Sequence, residues 1–388
     1  MRNSLGLVLR RGTVSAFTAL SVLSAVPAPV AASPTGPFAQ PVAAPDTAWV
    51  ADEAENIPFT RRFHAVQHGD LVRAANSSLS CRATVDTPAK AATACADARA
   101  GQRGGARAAN HDFDMFYVDV DDDPNTYNSS QAELKVPDGA DVTYARLYWG
   151  GNLLVGEQKP PRDNGRVLIA EPGGRYKEVL ADTVVGHRVA RGVDAFQASA
   201  DVTELVRSSG PGMWTVAQVN VAMGRSAAGG WGGWTLVAAY EKASEPLRQL
   251  AVWDGFAAFE PGHRDVSVAL DGVRIPAGAA GRAGLVAYNG DRGTTGDSLT
   301  VSTGKGAATA LSDPRNPAGN VLNSTIGEPG TPQAGRRPAY AHTLGYDSDV
   351  FPLDRALKSG AGRLELRLSV RQDAAWAGVL FAAADTRP

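Results

Sequence analysis

Apolar and polar residues alternate over short runs along most of the chain, and turn residues punctuate the runs. Residues 363–371 (RLELRLSVR) show the pattern most plainly: Leu364, Leu366, Leu368 and Val370 fall on one side and the charges on the other. That period predicts a half-buried strand. Ala132, Leu134 and Val136 alternate with Glu133 and Lys135, and after the turn Pro137-Asp138-Gly139 a second strand runs from Val142 to Trp149. Residues 166–170 follow Asn164-Gly165, a hairpin signal. Residues 229–241 (GGWGGWTLVAAYE) lead from glycines into a nearly unbroken apolar run, as in a strand buried on both faces. Strands are also expected over 112–120, 214–223, 248–259 with a bend at 253–256, 266–273, 284–288 and 375–384. The best short helix is 199–206, capped by Ser199 or Asp201 and stopped by Gly210-Pro211-Gly212. Residues 101–110 and 312–335 lack periodicity and read as irregular loops. The rhythm of strand and turn predicts an all-β fold: an antiparallel β-sandwich of two jelly-roll-like lobes, 59–241 and 242–388, with one or two short helices.

Composition agrees. Among 388 residues, Gly 42 and Pro 24 suit a turn-rich β protein better than a helical one. A net charge of −2 without a basic cluster argues against nucleic acid. Arg2, Arg10 and Arg11, the short apolar run 14–26 and the small residues Val30-Ala31-Ala32 form a secretory signal pattern, with cleavage expected after Ala32. The apolar run is too short to span a membrane, so no span is expected after cleavage. Arg10-Arg11 also raises twin-arginine export, although Gly12-Thr13-Val14 fit that motif poorly. Residues 33–58 are Pro- and Ala-rich and read as a linker. No C-terminal sorting pattern follows, so the mature protein is expected to be secreted and either released or held at the surface by a partner.

In that compartment the simple reading of Cys81 and Cys95 is a local disulfide. Two metal-ligating cysteines would want further Cys or a His pair nearby. His64 and His68 are four apart, which on a helix would share a face, but the Glu of a metalloprotease motif is missing and Gly69-Asp70 looks like a turn. No GxSxG elbow and no phosphate-binding glycine motif occurs. A pair of carboxylates brought together in space remains open. Trp231 and Trp234 have two readings, core or rim packing and an aromatic platform for a sugar.

The most polar stretch is the turn 119–130. Asp119, Asp121 and Asp123 alternate, with Asn125 behind them. Calcium takes six to eight hard oxygens from such loops, and a cation would relieve the repulsion among these carboxylates. Pro124 stands where an EF-hand needs glycine and Ser130 where it needs glutamate, so this is no EF-hand. A solvated acidic hairpin is the alternative. Asp347 and Asp349, or Asp291 with Asp297, are candidates to complete the shell or form a second one.

Several segments together resemble the N-terminal β-rich region of uncharacterised, adhesin-like secreted surface proteins of Gram-positive bacteria, actinobacteria above all. They are His68-Gly69-Asp70, residues 119–130 (DVDDDPNTYNSS), 145–151 (ARLYWGG), 200–206 (ADVTELV), 233–237 (GWTLV), 254–256 (DGF), 323–326 (NSTI) and 345–349 (GYDSD). They span about residues 60 to 384. The resemblance implies an extracellular domain without known catalysis. This chain lacks the downstream repeats and wall anchor usual there. The expectation is a secreted structural or adhesive cell-surface domain, with structural Ca2+ as its candidate cofactor, whose partner is a cell-wall component, a glycan or another surface protein. The alternatives are a carbohydrate-binding module and a glycan hydrolase.

Overall fold

The computed structural model describes residues 56–388 apart from 84–87, 103–107, 191, 305–306, 330 and 334. The expected signal peptide and most of the expected linker lie outside the described residues. The last linker positions, 56–58, already belong to the first strand.

The first half of the chain contains β1 (Asn56–Ser77), β2 (Leu79–Cys81), α1 (Ala89–Ala100), β3 (Met115–Tyr117), β4 (Ser129–Leu134) and β5 (Asp141–Asn152). It continues with β6 (Arg166–Ala170), β7 (Lys177–Leu180), β8 (Thr183–Ala190), β9 (Val193–Asp201), α2 (Thr203–Ser209), β10 (Gly212–Ala217) and β11 (Gly232–Glu241). The second half contains β12 (Leu247–Ala258), β13 (Asp265–Ile275), β14 (Gly281–Tyr288), β15 (Ser298–Ser302), β16 (Thr309–Ala310) and β17 (Ile326–Glu328). It ends with β18 (Thr331–Pro332), β19 (Arg336–Arg337), β20 (Tyr346–Pro352), β21 (Ala361–Ser369) and β22 (Trp376–Asp385).

One strand joins the two halves. Up to His68, β1 pairs with β12, and from Gly69 onward it pairs with β11. Gly69 permits the change of partner, since a Cβ there would lie 1.8 Å from the Tyr240 carbonyl oxygen. The central sheet therefore has 11 strands in the order β18-β17-β20-β14-β22-β12-β1-β11-β5-β9-β8. The turn 242–246 joins β11 to β12 across β1, and its Lys242 N–H donates to the His68 carbonyl.

The sheet folds on itself at this corner, and its halves meet face to face. Leu71, Tyr148, Val237 and Ala239 pack against Val252, Val286, Tyr288 and Phe381. The opposite faces are also covered. A five-stranded sheet, β19-β4-β10-β6-β7, buries Leu134, Ile169, Trp214 and Val216 against the first half. A four-stranded sheet, β13-β21-β15-β16, buries Val268, Leu299, Leu364 and Leu366 against the second. The result is an all-β structure of two β-sandwiches packed back to back. Strand β11 contributes Leu236 and Ala238 to one core and Val237 and Ala239 to another, so its apolar run is buried on both faces, as expected. In β21, Leu364, Leu366 and Leu368 point inward and Arg363 and Arg367 outward.

Several local expectations need correction. The helix expected at 199–206 starts later: Ser199 and Asp201 end β9, and α2 covers Thr203–Ser209. Asp201 still serves its start, its carboxylate accepting the Thr203 N–H at 2.9 Å. The stretch between the cysteines, read as a loop, contains α1, an Ala-rich helix closed by Gly101 in the left-handed region. Cys81 and Cys95 form the expected disulfide, which pins α1 to β2. His64 and His68 lie on a strand rather than a helix, the first 2.9 Å from Gln249 Oε1 and the second 2.8 Å from the Glu245 carbonyl. Asn164-Gly165 enters β6 from a 3-10 turn, Pro161–Asp163, instead of closing a hairpin.

Candidate functional site

The acidic turn is closed by its own hydrogen bonds. The Ser129 hydroxyl donates to Asp119 at 2.7 Å and accepts the Val120 N–H at 2.9 Å. Asp121 Oδ1 accepts the Asp123 N–H at 2.9 Å and the Thr126 hydroxyl at 3.1 Å, and Asp121 Oδ2 accepts the Tyr176 hydroxyl. Asp123 Oδ1 accepts both the backbone and side-chain amides of Asn125. These are Asx-type turn contacts. Burial pushes the Asp121 carboxyl up, but its donors, Tyr176 first, outweigh that and hold it below its ordinary value.

Asp347 and Asp349 belong to a different place. Both lie on β20 and are fully buried. Asp349 accepts from the Thr325 hydroxyl at 3.1 Å, and Asp347 Oδ1 accepts the Thr325 N–H at 3.1 Å. Burial pushes Asp349 up to about 7. Burial and the neighbouring Asp349 raise Asp347 well above its ordinary value. Asp297, likewise buried, accepts the Leu322 N–H at 2.6 Å and is pushed up to about 6 by burial. Among the described residues, no group of three or more His, Cys, Asp or Glu side chains is arranged to hold a metal ion.

Trp231 and Trp234 are both fully buried, so neither presents a face to a sugar. Trp234 Nε1 donates to the Ser130 hydroxyl at 2.8 Å, and Trp231 stacks on Trp376 with ring centroids 5.1 Å apart. Their glycine-flanked position delivers them into the core rather than to a rim.

A cleft of about 360 Å3 with a mixed polar and apolar lining lies between the two sandwiches. Arg188 of β8 and Val193 of β9 form one wall. Phe259 and Glu260 after β12, Asp291 in the loop after β14, and Asp373 and Trp376 at the start of β22 form the other. His111 lies at the exposed rim. Asp373 Oδ2 accepts the Asp291 N–H at 2.8 Å and Asp373 Oδ1 accepts the Ala374 N–H at 3.1 Å, which fixes the carboxylate. Burial, and then repulsion from Asp291, pushes Asp373 up to about 8. Burial pushes Asp291 up to about 6, opposed by His111. Arg188 Nη2 donates to Glu260 Oε1 at 3.0 Å. Asn289 supports this wall from behind. Its side-chain amide donates to the Ala374 carbonyl at 2.9 Å, and its Oδ1 accepts from Asn110 at 2.8 Å. Its φ of 60° is a conformation that Asn tolerates better than most residues.

Sequence pattern singles out Asp291 as a candidate cation ligand. It does not single out Asp373, Glu260, Arg188 or His111. Asp291 and Asp373 are separated by 82 residues, and nothing in local spacing links them.

No family model matches the chain, and no curated protein matches it. Among solved structures, the major capsid protein P2 from bacteriophage PM2 aligns at 12% identity and a TM-score of 0.18, over 68% of this chain and 95% of that one. PNGF-II aligns at 12% identity and a TM-score of 0.20, over 68% of this chain and 61% of that one. Likenesses at these scores carry no functional argument.

Proposed function

We propose that this chain is an extracellular β domain with a structural or adhesive role at the cell surface, and that its cleft between the sandwiches holds a glycan. Secretion rests on the leader pattern of residues 1–32 and on the Cys81–Cys95 disulfide, a bond that persists in oxidising compartments. The cleft is the observation that carries the binding reading. It sets the edges of the largely buried Phe259 and Trp376 beside the charged and amide groups of Arg188, Glu260, Asn289 and Asp291. Sugars pair apolar ring faces with hydroxyls that both donate and accept, and sites for small polar ligands have this mixed lining.

One observation favours a second reading, glycan hydrolysis. Asp373 and Asp291 border the same cleft, and burial raises Asp373, to about 8, further than Asp291, to about 6. Carboxyls with separated pKa values are what acid–base chemistry requires. Calorimetric titration of the mature protein with soluble wall and plant polysaccharides tests both readings. Saturable binding without product, weakened in Arg188→Gln and His111→Ala, supports the adhesive reading. Release of reducing ends, lost in Asp373→Asn, supports the hydrolase. Absence of both binding and turnover across the panel overturns the assignment of a glycan to the cleft.

A further inference from the structure

The loop that follows β14 borders two cavities. Asp291 and Thr294 line the cleft between the sandwiches, whereas Arg292 lines a separate basin of about 480 Å3. Arg315, Asn320, Asn323, Gly101 and Ala341 complete most of its wall. The two cavities have no lining residue in common.

We propose that this basin binds a tetrahedral oxyanion, a phosphate or sulfate group. Two arginines line it, and neither forms an ion pair with a carboxylate among the described residues. Both backbones and the Arg292 side chain are tied in place. The Asn320 side-chain amide donates to the Arg292 carbonyl at 2.9 Å, and the Asn323 side-chain amide donates to the Arg315 carbonyl at 2.8 Å. Arg292 Nε donates in turn to the Asn323 carbonyl at 3.3 Å, and its Nη2 to the Ala341 carbonyl at 3.0 Å. These ties hold two like charges close enough to repel. Burial first, and then Arg315, hold the Arg292 guanidinium below its ordinary value, against the attraction of Asp347 and Asp349. Arg315 Nε is buried without a hydrogen-bond partner among the described residues. Like charges held together at an accessible surface cost free energy that a bound anion offsets. Guanidinium forks favour oxyanions with several acceptor oxygens, so a tetrahedral group engages both arginines at once.

The proposal does not depend on the glycan reading of the cleft, and its experiment separates the two. Inorganic phosphate, inorganic sulfate and glucose 6-phosphate are titrated into the mature protein at low ionic strength, with chloride as control. Saturable binding is expected, weakened at least about tenfold in Arg315→Gln. Among the described residues that side chain makes no hydrogen bond, so the variant should fold, and an unchanged melting temperature without ligand checks this. Arg292→Gln should weaken binding as well. Tighter binding of the hexose phosphate identifies a sugar ester as the ligand, and preference for the inorganic ions identifies the free anion; either upholds the site. Absence of saturable binding for all three, or equal affinity in Arg315→Gln, overturns it.

Discussion

Gln197 of β9 reaches across the interface between the central half-sheets to Gly378 of β22, its side-chain amide donating to the Gly378 carbonyl at 3.2 Å. The same amide donates to the Gly255 carbonyl at 3.1 Å, and Gln197 Oε1 accepts the Tyr288 hydroxyl at 2.9 Å. A Cβ at Gly378 would lie 1.8 Å from that oxygen, so the glycine leaves room for the bridge. Gln197→Leu should cost about 1–3 kcal/mol, because it strands buried polar groups on β12, β14 and β22. Gly378→Ala should also destabilise by displacing the amide. The two changes touch the same contact, so the double variant should lose less than the sum. Urea unfolding of the three variants measures this, and strict additivity would show that the bridge is not shared.

A second polar contact crosses the same interface. Asp254 of β12, only 5% exposed, accepts from Arg62 at 2.7 Å and from the Tyr148 hydroxyl of β5 at 3.1 Å. Asp254→Ala should destabilise by about 1–3 kcal/mol, since it removes the contact with the partly exposed Arg62 and strands the buried Tyr148 hydroxyl. Asp254→Asn retains a side-chain carbonyl acceptor and should lose less. Equal stability of Asp254→Ala and the parent in urea melts would refute this.

Stability should fall as pH rises from mildly acid to mildly alkaline. Burial raises Asp291 and Asp297 to about 6, Asp349 to about 7 and Asp373 to about 8, from an ordinary value of 3.8. Each of these carboxyls holds its proton more firmly in the folded chain than in the unfolded one. Their contribution is complete below the unfolded value and is lost as pH climbs through the folded values. Asp265, held low by Arg367, acts in the opposite sense and loses its contribution in stronger acid. The melting temperature should therefore peak in the mildly acid range and decline toward about pH 8. Asp373→Asn should flatten the upper part of the decline, and a parallel decline in that variant would remove Asp373 from the account.

The acidic turn should keep its shape without a cation. Asp121 engages both its oxygens, with Thr126, Tyr176 and the Asp123 amide, while Asp119 and Asp123 each engage one, with Ser129 and Asn125. Millimolar calcium should leave the melting temperature unchanged, while Asp121→Ala lowers it. A rise with calcium that chelator reverses, absent in Asp121→Ala, would instead establish a structural ion at this turn.

Reduction of Cys81–Cys95 should release α1 from β2. The bond spans 14 positions, and closing a loop of that size contributes about 3 kcal/mol in the chain-entropy model. The paired change to serine should lower stability by an amount of that order, read by urea melts. Insensitivity to reductant, with the bond shown to be broken, would mean that α1 is held by packing alone.

Much of the β character was legible from local pattern. The alternation in β21 and the apolar run of β11 predicted which faces are buried, because side chains of a strand alternate strictly between its two sides. The two cysteines were legible as a pair because they are close in sequence and have no rivals. Strand β1 was not. Its residues up to His68 are half-buried or exposed, while those from Gly69 onward are nearly all buried, so no single period runs through it. The cause is its change of partner at Gly69, which depends on strands more than 160 residues away in sequence. Helix α1 was hidden for a related reason: of its side chains only Cys95 and Ala98 are buried, too few to mark an apolar stripe. The sequence by itself determined that the chain is β, where many of its strands run and which cysteines pair. Only the tertiary structure decided which charges meet. Asp119 and Asp121 stay in one turn, Asp347 and Asp349 are buried elsewhere, and Asp291 meets Asp373 across 82 residues. Strand periodicity records which face a side chain takes, whereas the neighbours of a loop carboxylate are set by how the sheets stack.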